Sequence, residues 1–135
     1  MKLLINSQSH LDDFIRLNEE WISHYFELEQ ADFNLAADPY AIVRNGGYIF
    51  SLVSDNESKK LDVLGVCALF NDGHGIYELA RMAVSPKHHG KGLANKLMDA
   101  AFGKLAEINA NKVYLISNTK LESAIRLYKK YQFLT

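Results

Sequence analysis

Hydrophobic and polar residues recur along the first third of the chain with helix and strand periods. A short apolar strand is predicted at residues 2–6. Ser9 then begins an amphipathic helix with an S-x-x-D cap to Asp12. One apolar face of this helix repeats every three or four residues, through Phe14, Leu17, Trp21, Tyr25 and Leu28. The less regular stretch 30–47 predicts a short second helix or a loop, broken near Pro39.

The rest of the chain alternates strands and helices. Strands are predicted at residues 48–53, 61–70, 76–84 and 113–117, and a helix at 92–109, with turns at 54–60 and 71–75. The sequence LDVLGVCALF is apolar on both faces, which favours a central strand. Thr119 and Glu122 form a T-x-x-E capping box for a last helix. The order predicts an α/β fold, a three-layer α/β/α sandwich with a mixed sheet.

Composition limits the classes of function. The chain of 135 residues predicts one domain, 1–135, and its net charge of -1 gives no whole-molecule attraction to nucleic acid or an anionic membrane. Cys67 is the single cysteine, so no internal disulfide can form and a reducing compartment is expected. Neither a signal peptide nor a membrane span is recognisable in the sequence, and we therefore expect a cytoplasmic protein.

The stretch YELARMAVSPKHHGKGLANKL, residues 77–97, combines features of an anion site. A strand ends at a proline, a basic glycine-spaced turn follows, and a helix begins directly after it. Glycines allow close approach of backbone N–H groups to a phosphate, and the helix N-terminus adds unpaired N–H groups and a positive dipole end. Mobile positive charge comes from Lys87, His88, His89 and Lys91. These features predict a phosphorylated cofactor. Adjacent histidines without a carboxylate or cysteine set make a poor metal site, so no metal is expected.

This motif and the downstream segment SNTKLESAIRLYKKYQF resemble the GNAT superfamily of acyl-CoA-dependent N-acetyltransferases. The family's phosphate loop reads Gln or Arg, two free positions, Gly, one free position, then Gly or Ala. The run His89-Gly90-Lys91-Gly92-Leu93-Ala94 fits the glycine and small-residue positions, with histidine first. A register shifted by two residues begins at Lys87, so neither register has the Arg or Gln.

The resemblance implies the acyl-CoA N-acyltransferase fold, with a mostly antiparallel mixed sheet, and acetyl-CoA as co-substrate. It assigns cofactor binding to the residues of a strand end, of the phosphate loop and of one downstream position. These residues are Met82, Ala83, Val84, His89, Gly90, Lys91, Gly92, Leu93, Ala94, Asn95 and Asn118. The strand residues would act through backbone atoms, and Asn118 through the pantetheine amides. Asn118 could instead only cap the last helix.

Two catalytic side chains are expected. Glu78 occupies a place where some family members carry a general base, and in a regular strand it would share a face with Ala80, Met82 and Val84. Apolar neighbours would raise its pKa, as a base near neutral pH requires. Alternatively, Glu78 faces solvent or pairs with a cation such as Arg81. By resemblance, Tyr128 is the general acid for the departing thiolate, or else a core tyrosine.

The acceptor is predicted to be a small-molecule primary amine. Acidic residues in the early helices would suit a cationic amine, although such residues often serve solubility alone. A protein or peptide acceptor and a non-catalytic acyl-CoA-binding regulatory module are the alternatives. The family normally continues past the last helix with two strands, whereas this sequence ends at Thr135. An uncovered sheet edge would favour self-association, so we expect a homodimer or a marginally stable monomer.

Overall fold

The computed structural model describes residues 1–25, 27–54, 63–88 and 90–114. Its strands are β1 (Lys2–Ile5), β2 (Tyr48–Val53), β3 (Val63–Gly73), β4 (Ile76–Val84) and β5 (Lys112–Tyr114). Its helices are α1 (Leu11–Tyr25), α2 (Gln30–Ala37), α3 (Ala41–Arg44) and α4 (Leu93–Glu107), with 3-10 turns at Gln8–His10 and Pro86–His88. No helix in these ranges is both long and apolar enough to cross a membrane.

The strands form one sheet in the order β1-β2-β3-β4-β5. The first four strands pair antiparallel, and β5 pairs with β4 in parallel. A parallel pair needs a crossover connection, and α4 provides it between β4 and β5. The predicted mixed, mostly antiparallel sheet is therefore confirmed.

Two hydrophobic clusters cover opposite faces of the sheet. On one face, Phe14 and Leu17 of α1 and Ile42 of α3 pack with alternate residues of β2, β3 and β4. On the other face, the apolar stripe of α4 packs against the remaining strand residues, and Leu97 in its centre is fully buried. The two faces are named below the α1 face and the α4 face. Helices on both faces of a sheet form the predicted three-layer sandwich.

The strand that reads as apolar on both faces is the central one. From Val63 to Leu69 every residue of β3 is buried, because helices cover both faces and strands flank both edges. Cys67 lies in this run, fully buried, and burial raises the pKa of its thiol. A buried thiol held in its neutral form packs as a small apolar side chain.

Two local predictions are wrong. The helix expected from Ser9 begins at Leu11, and the Ser9 hydroxyl contacts the Ser7 hydroxyl and His10 Nδ1 at 3.2 Å each. The predicted turn 71–75 is shorter, since β3 continues to Gly73. His74 and Gly75 both have positive φ, 56° and 75°, which is the pattern of a two-residue hairpin turn whose twist matches the strands.

Candidate functional site

Strand β4 contains a bulge at Arg81. Ala80 pairs with Ala68 and Ala83 pairs with Val66, so Arg81 and Met82 together face the single residue Cys67 of β3. Arg81 has a φ of 60°, in the left-handed region that residues other than glycine seldom adopt. Such an extra residue shifts every later side chain to the opposite face of the strand.

The bulge corrects the predicted alternation along β4. Glu78 and Ala80 lie opposite Phe70 and Ala68, which belong to the cluster on the α1 face. After the bulge, Met82 and Val84 pack on the α4 face, and Ala83 is buried on the α1 face. Glu78 therefore shares a face with Ala80 but not with Met82 or Val84. The regular alternation was wrong because it assumed an unbroken strand.

Glu78 is half-buried on the α1 face of the sheet, between strands β3 and β5. Across β3 its Cα partner is Phe70, and across β5 its partner is Tyr114. Burial raises the pKa of the Glu78 carboxyl, and the neighbouring Asp72 carboxylate raises it further. The Arg81 guanidinium opposes both effects, but the net direction is upward, as the sequence predicts.

A tyrosine–aspartate pair adjoins Glu78. The Tyr114 hydroxyl donates a hydrogen bond to the Asp72 carboxylate, which joins β5 to the end of β3. This bond, with a smaller effect of burial and of the Glu78 and Asp72 charges, raises the pKa of Tyr114 to about 12. The sequence did not single out these residues, which are 42 positions apart. In the sequence, Asp72 could be recognised only as a polar residue in a predicted turn. Its contact with Tyr114 depends on the parallel register of β4 and β5, which residue spacing does not reveal.

Arg81 forms an ion pair with Asp32 of helix α2, which packs on the α1 face of the sheet. Its Nη1 donates to Asp32 Oδ1 of α2 at 2.5 Å, and only 20% and 12% of the two side chains are exposed. Asp32 Oδ2 accepts the backbone N–H of Glu29 at 2.8 Å and completes a capping box at the start of α2. Thus Arg81 pairs with Asp32, whereas the sequence offered Glu78 as its partner.

The glycine turn leads into α4 as predicted. Gly90 and Gly92 have φ values of 79° and 74°, and among the described residues a Cβ built on either would meet nothing within 4 Å. Gly92 is the N-cap of α4 and contributes no side-chain cap, and the first turn of α4 contains no acidic residue. The helix N-terminus is therefore electropositive and open to an anion.

Two polar atoms beside this turn have no hydrogen-bond partner among the described residues. They are Nδ1 of His88 and Oδ1 of Asn95, both buried. Lys91, by contrast, is exposed. Unpaired buried polar atoms are costly in a finished fold, so the pair marks a place where a ligand can supply partners.

The described site contains most of the predicted residues. Gly90 to Asn95 lie together at the start of α4, and Met82, Ala83 and Val84 lie at the end of β4. His89, Asn118 and Tyr128 lie outside the described residues. Within the described ranges, no group of three His, Cys, Asp or Glu side chains could hold a metal ion.

Several solved acetyltransferases share this architecture. A GNAT acetyltransferase from Staphylococcus aureus Mu50 superposes with a TM-score of 0.82 at 16% identity, covering 96% of this chain and 80% of that one. A predicted acetyltransferase from Clostridium acetobutylicum, solved with acetyl-CoA, gives 0.73 at 15% identity, covering 99% and 90%. Spermidine N-acetyltransferase from Vibrio cholerae gives 0.70 at 21% identity, covering 96% and 78%. At these identities the likeness demonstrates the fold.

The family of the protein is identified from its sequence. A search among curated protein sequences finds no match. The profile of the acetyltransferase (GNAT) family, however, matches residues 11–133, which is most of the chain and includes β4, the glycine turn and α4. The chain therefore belongs to the GNAT family of acetyltransferases, which use acyl-CoA donors.

Proposed function

We propose that this protein transfers an acetyl group from acetyl-CoA to a primary amine of a small molecule, with Glu78 as the general base. One observation carries the proposal. The strand that holds a carboxyl of raised pKa leads into a glycine turn and a helix N-terminus of the kind that can bind an anion. A donor held by its phosphates at that turn would extend along the strand that carries the base.

The turn suits the phosphates of acetyl-CoA. Backbone N–H groups of Gly90, Lys91 and Gly92 would face the pyrophosphate without Cβ atoms in the way at either glycine. The unpaired Asn95 Oδ1 would accept a hydrogen bond from a hydroxyl or N–H group of the donor rather than contact a phosphate oxygen. We assign the backbone of Met82, Ala83 and Val84 to the pantetheine arm, as the family resemblance implies. When bound, acetyl-CoA supplies an activated acyl group on a good leaving thiolate.

Glu78 prepares the acceptor. An amine attacks only when neutral, whereas most primary amines are protonated near pH 7. A carboxylate with an upward-shifted pKa is a better proton acceptor than an ordinary glutamate, and it can take the ammonium proton directly or through one water. The general acid for the thiolate remains the prediction of Tyr128, a residue outside the described ranges.

A cationic amine is the favoured acceptor. Glu78 and Asp72 both present carboxylates near the start of β4, and their mutual repulsion contributes to the raised pKa of Glu78. A positively charged substrate would relieve that repulsion. One structural neighbour is a spermidine N-acetyltransferase, which supports an amine of this class.

Calorimetric titration with acetyl-CoA tests the cofactor assignment, with dephospho-CoA and ATP as controls. We expect acetyl-CoA to bind more tightly than either control. An amine screen that detects free thiol then tests the transfer. Binding together with turnover supports the enzyme. Selective binding without turnover of any small amine or peptide would favour the regulatory acyl-CoA-binding module, and no binding would overturn the proposal.

A further inference from the structure

The ion pair between α2 and the β4 bulge contains Arg81, whose charge also acts on Glu78, the proposed base. We propose that Asp32 is a positioning residue, which holds the Arg81 guanidinium against α2 and so prevents it from forming an ion pair with Glu78. The inference rests on the proposed function, because it matters for catalysis only if Glu78 is the base. Its test nevertheless uses a measurement that does not require enzymatic activity.

Asp32 is built into the fold at both oxygens. Oδ2 accepts the backbone N–H of Glu29 and fixes the carboxylate to the N-terminus of α2, while Oδ1 accepts from Arg81 Nη1. The pair is largely buried, unlike the Arg44–Asp38 pair at the other end of α2, where 54% of each side chain is exposed. A fixed, desolvated carboxylate holds a guanidinium more strongly than an exposed one does.

Arg81 has Glu78 as its alternative partner. Both residues belong to β4, three positions apart, and the bulge begins at Arg81. Glu78 faces the α1 side through its pairing with Phe70, and Arg81 points to α2, which packs on that same side through Leu35. Three residues of strand span about 10 Å, a separation that extended arginine and glutamate side chains can bridge together. The Arg81 charge already acts on Glu78, so a guanidinium released from Asp32 has Glu78 as an alternative carboxylate partner.

The consequence for Glu78 follows from its other neighbours. The described charged or titratable groups that act on it are Asp72 of β3, Arg81 of β4 and Tyr114 of β5. Asp72 and burial favour the protonated form, and only Arg81 favours the carboxylate. An Arg81 released from Asp32 would therefore make Glu78 a weaker base, because a direct ion pair stabilises the carboxylate.

The experiment measures the Glu78 titration in three variants by carboxyl carbon NMR, with Glu78→Gln to assign the signal. In Asp32→Asn, an amide oxygen can still accept the Glu29 N–H, so the start of α2 is retained while the charge partner is lost. We expect the Glu78 midpoint to move to lower pH. In Arg81→Gln it should move to higher pH. Asp38→Asn removes the exposed ion pair of the same helix and should leave the midpoint unchanged.

The double variant Asp32→Asn/Arg81→Gln separates positioning from a general structural effect. The proposal expects the double variant to titrate like Arg81→Gln alone, because Asp32 acts only through Arg81. A Glu78 midpoint that stays unchanged in Asp32→Asn would overturn it. So would a downward shift that persists at full size without Arg81, since that would reflect disturbance of α2.

Kinetics distinguish this proposal from the assignment of Glu78. If Glu78 is the base, the acidic limb of the kcat/KM profile should move with the NMR midpoint, and plateau kcat of Asp32→Asn should fall by roughly two- to tenfold. If the midpoint moves while Glu78→Gln retains full turnover, the ion-pair exchange stands and the base assignment fails.

Discussion

Glu78 illustrates, at the scale of one residue, how the surroundings of a carboxylate change its affinity for a proton. Burial acts most strongly on its pKa, the Asp72 charge adds to that effect, and Arg81 limits it. Only the residue and its strand could be predicted from the sequence. Asp72 and Tyr114 could not, because their contact joins a hairpin to a strand across the parallel register of β4 and β5.

Glu78→Gln should lower kcat by roughly 10²-fold or more and yet raise the melting temperature at pH 7. The folded pKa of this carboxyl lies above its ordinary value of 4.5, so the folded state holds the proton more tightly than the unfolded state. Folding is consequently less favourable once the pH exceeds both values, and removing the charge relieves that cost. Thermal melts at pH 7 and pH 4 measure it, and the gain should be smaller at pH 4.

A matched substitution on α4 controls for the change of chemistry. Glu107→Gln replaces a glutamate whose side chain is 69% exposed and whose partner is Lys104. It should change neither kcat nor the melting temperature appreciably. A fall in stability of Glu78→Gln at pH 7, with activity retained, would contradict both parts of the prediction.

At the scale of the elements, hydrophobic period predicted which segments form helices and strands, but not their irregularities. Strand β4 begins and ends where the sequence indicates, at Ile76 and Val84. The bulge at Arg81 was not predictable, because neither glycine nor proline marks it and the left-handed φ is imposed by pairing with β3. One extra residue thereby decides which side chains share a face with the candidate base.

Two glycines allow a stability test of the elements around the site. At Gly47, where α3 leads into β2, an added Cβ would lie 2.3 Å from the Leu69 carbonyl oxygen and 2.8 Å from that of Ile42. Gly47→Ala should therefore destabilise the protein by about 2 kcal/mol or more, since backbone atoms would have to move. At Gly103, inside α4, no atom of the described part of the chain lies within 4 Å of such a Cβ.

Gly103→Ala should accordingly stabilise the protein by about 0.5–1 kcal/mol, because alanine loses less backbone freedom in a helix interior. Urea unfolding of the two variants beside the parent measures both effects. Equal stabilities for the two alanine variants would mean that the close approach at Gly47 is relieved without cost.

At the scale of the whole molecule, element order and layer architecture were predictable from the sequence, whereas the arrangement of charge was not. The chain is nearly neutral, yet some of its described charges are grouped in particular places. Basic residues flank the turn before α4, and Asp32, Asp72 and Glu78 lie on the α1 face or at its edge. Composition gives only the net charge, whereas these local groups of charge depend on strand order and register.

If local charge controls cofactor binding, two variants of equal net charge must behave differently. Gly92→Glu and Gly103→Glu each add one negative charge to a chain of net charge -1, the first at the N-cap of α4 and the second within the same helix. We expect Gly92→Glu to weaken acetyl-CoA binding by at least about tenfold, or 1.4 kcal/mol, and Gly103→Glu to leave it unchanged, by calorimetry.

The effect of backbone strain at Gly92 must be separated from the effect of charge. Any side chain at a residue in the left-handed region strains the backbone, whatever the charge of that side chain. Gly92→Asn provides that comparison, since asparagine tolerates this conformation better than most residues and is neutral. Affinity for acetyl-CoA should decrease in the order parent, Gly92→Asn, Gly92→Glu. Added salt should reduce the difference in affinity between the two variants, because it screens the added charge. If both glutamate variants bind acetyl-CoA as the parent does, the helix N-terminus does not hold the phosphates, and the anion site must be sought elsewhere in the molecule.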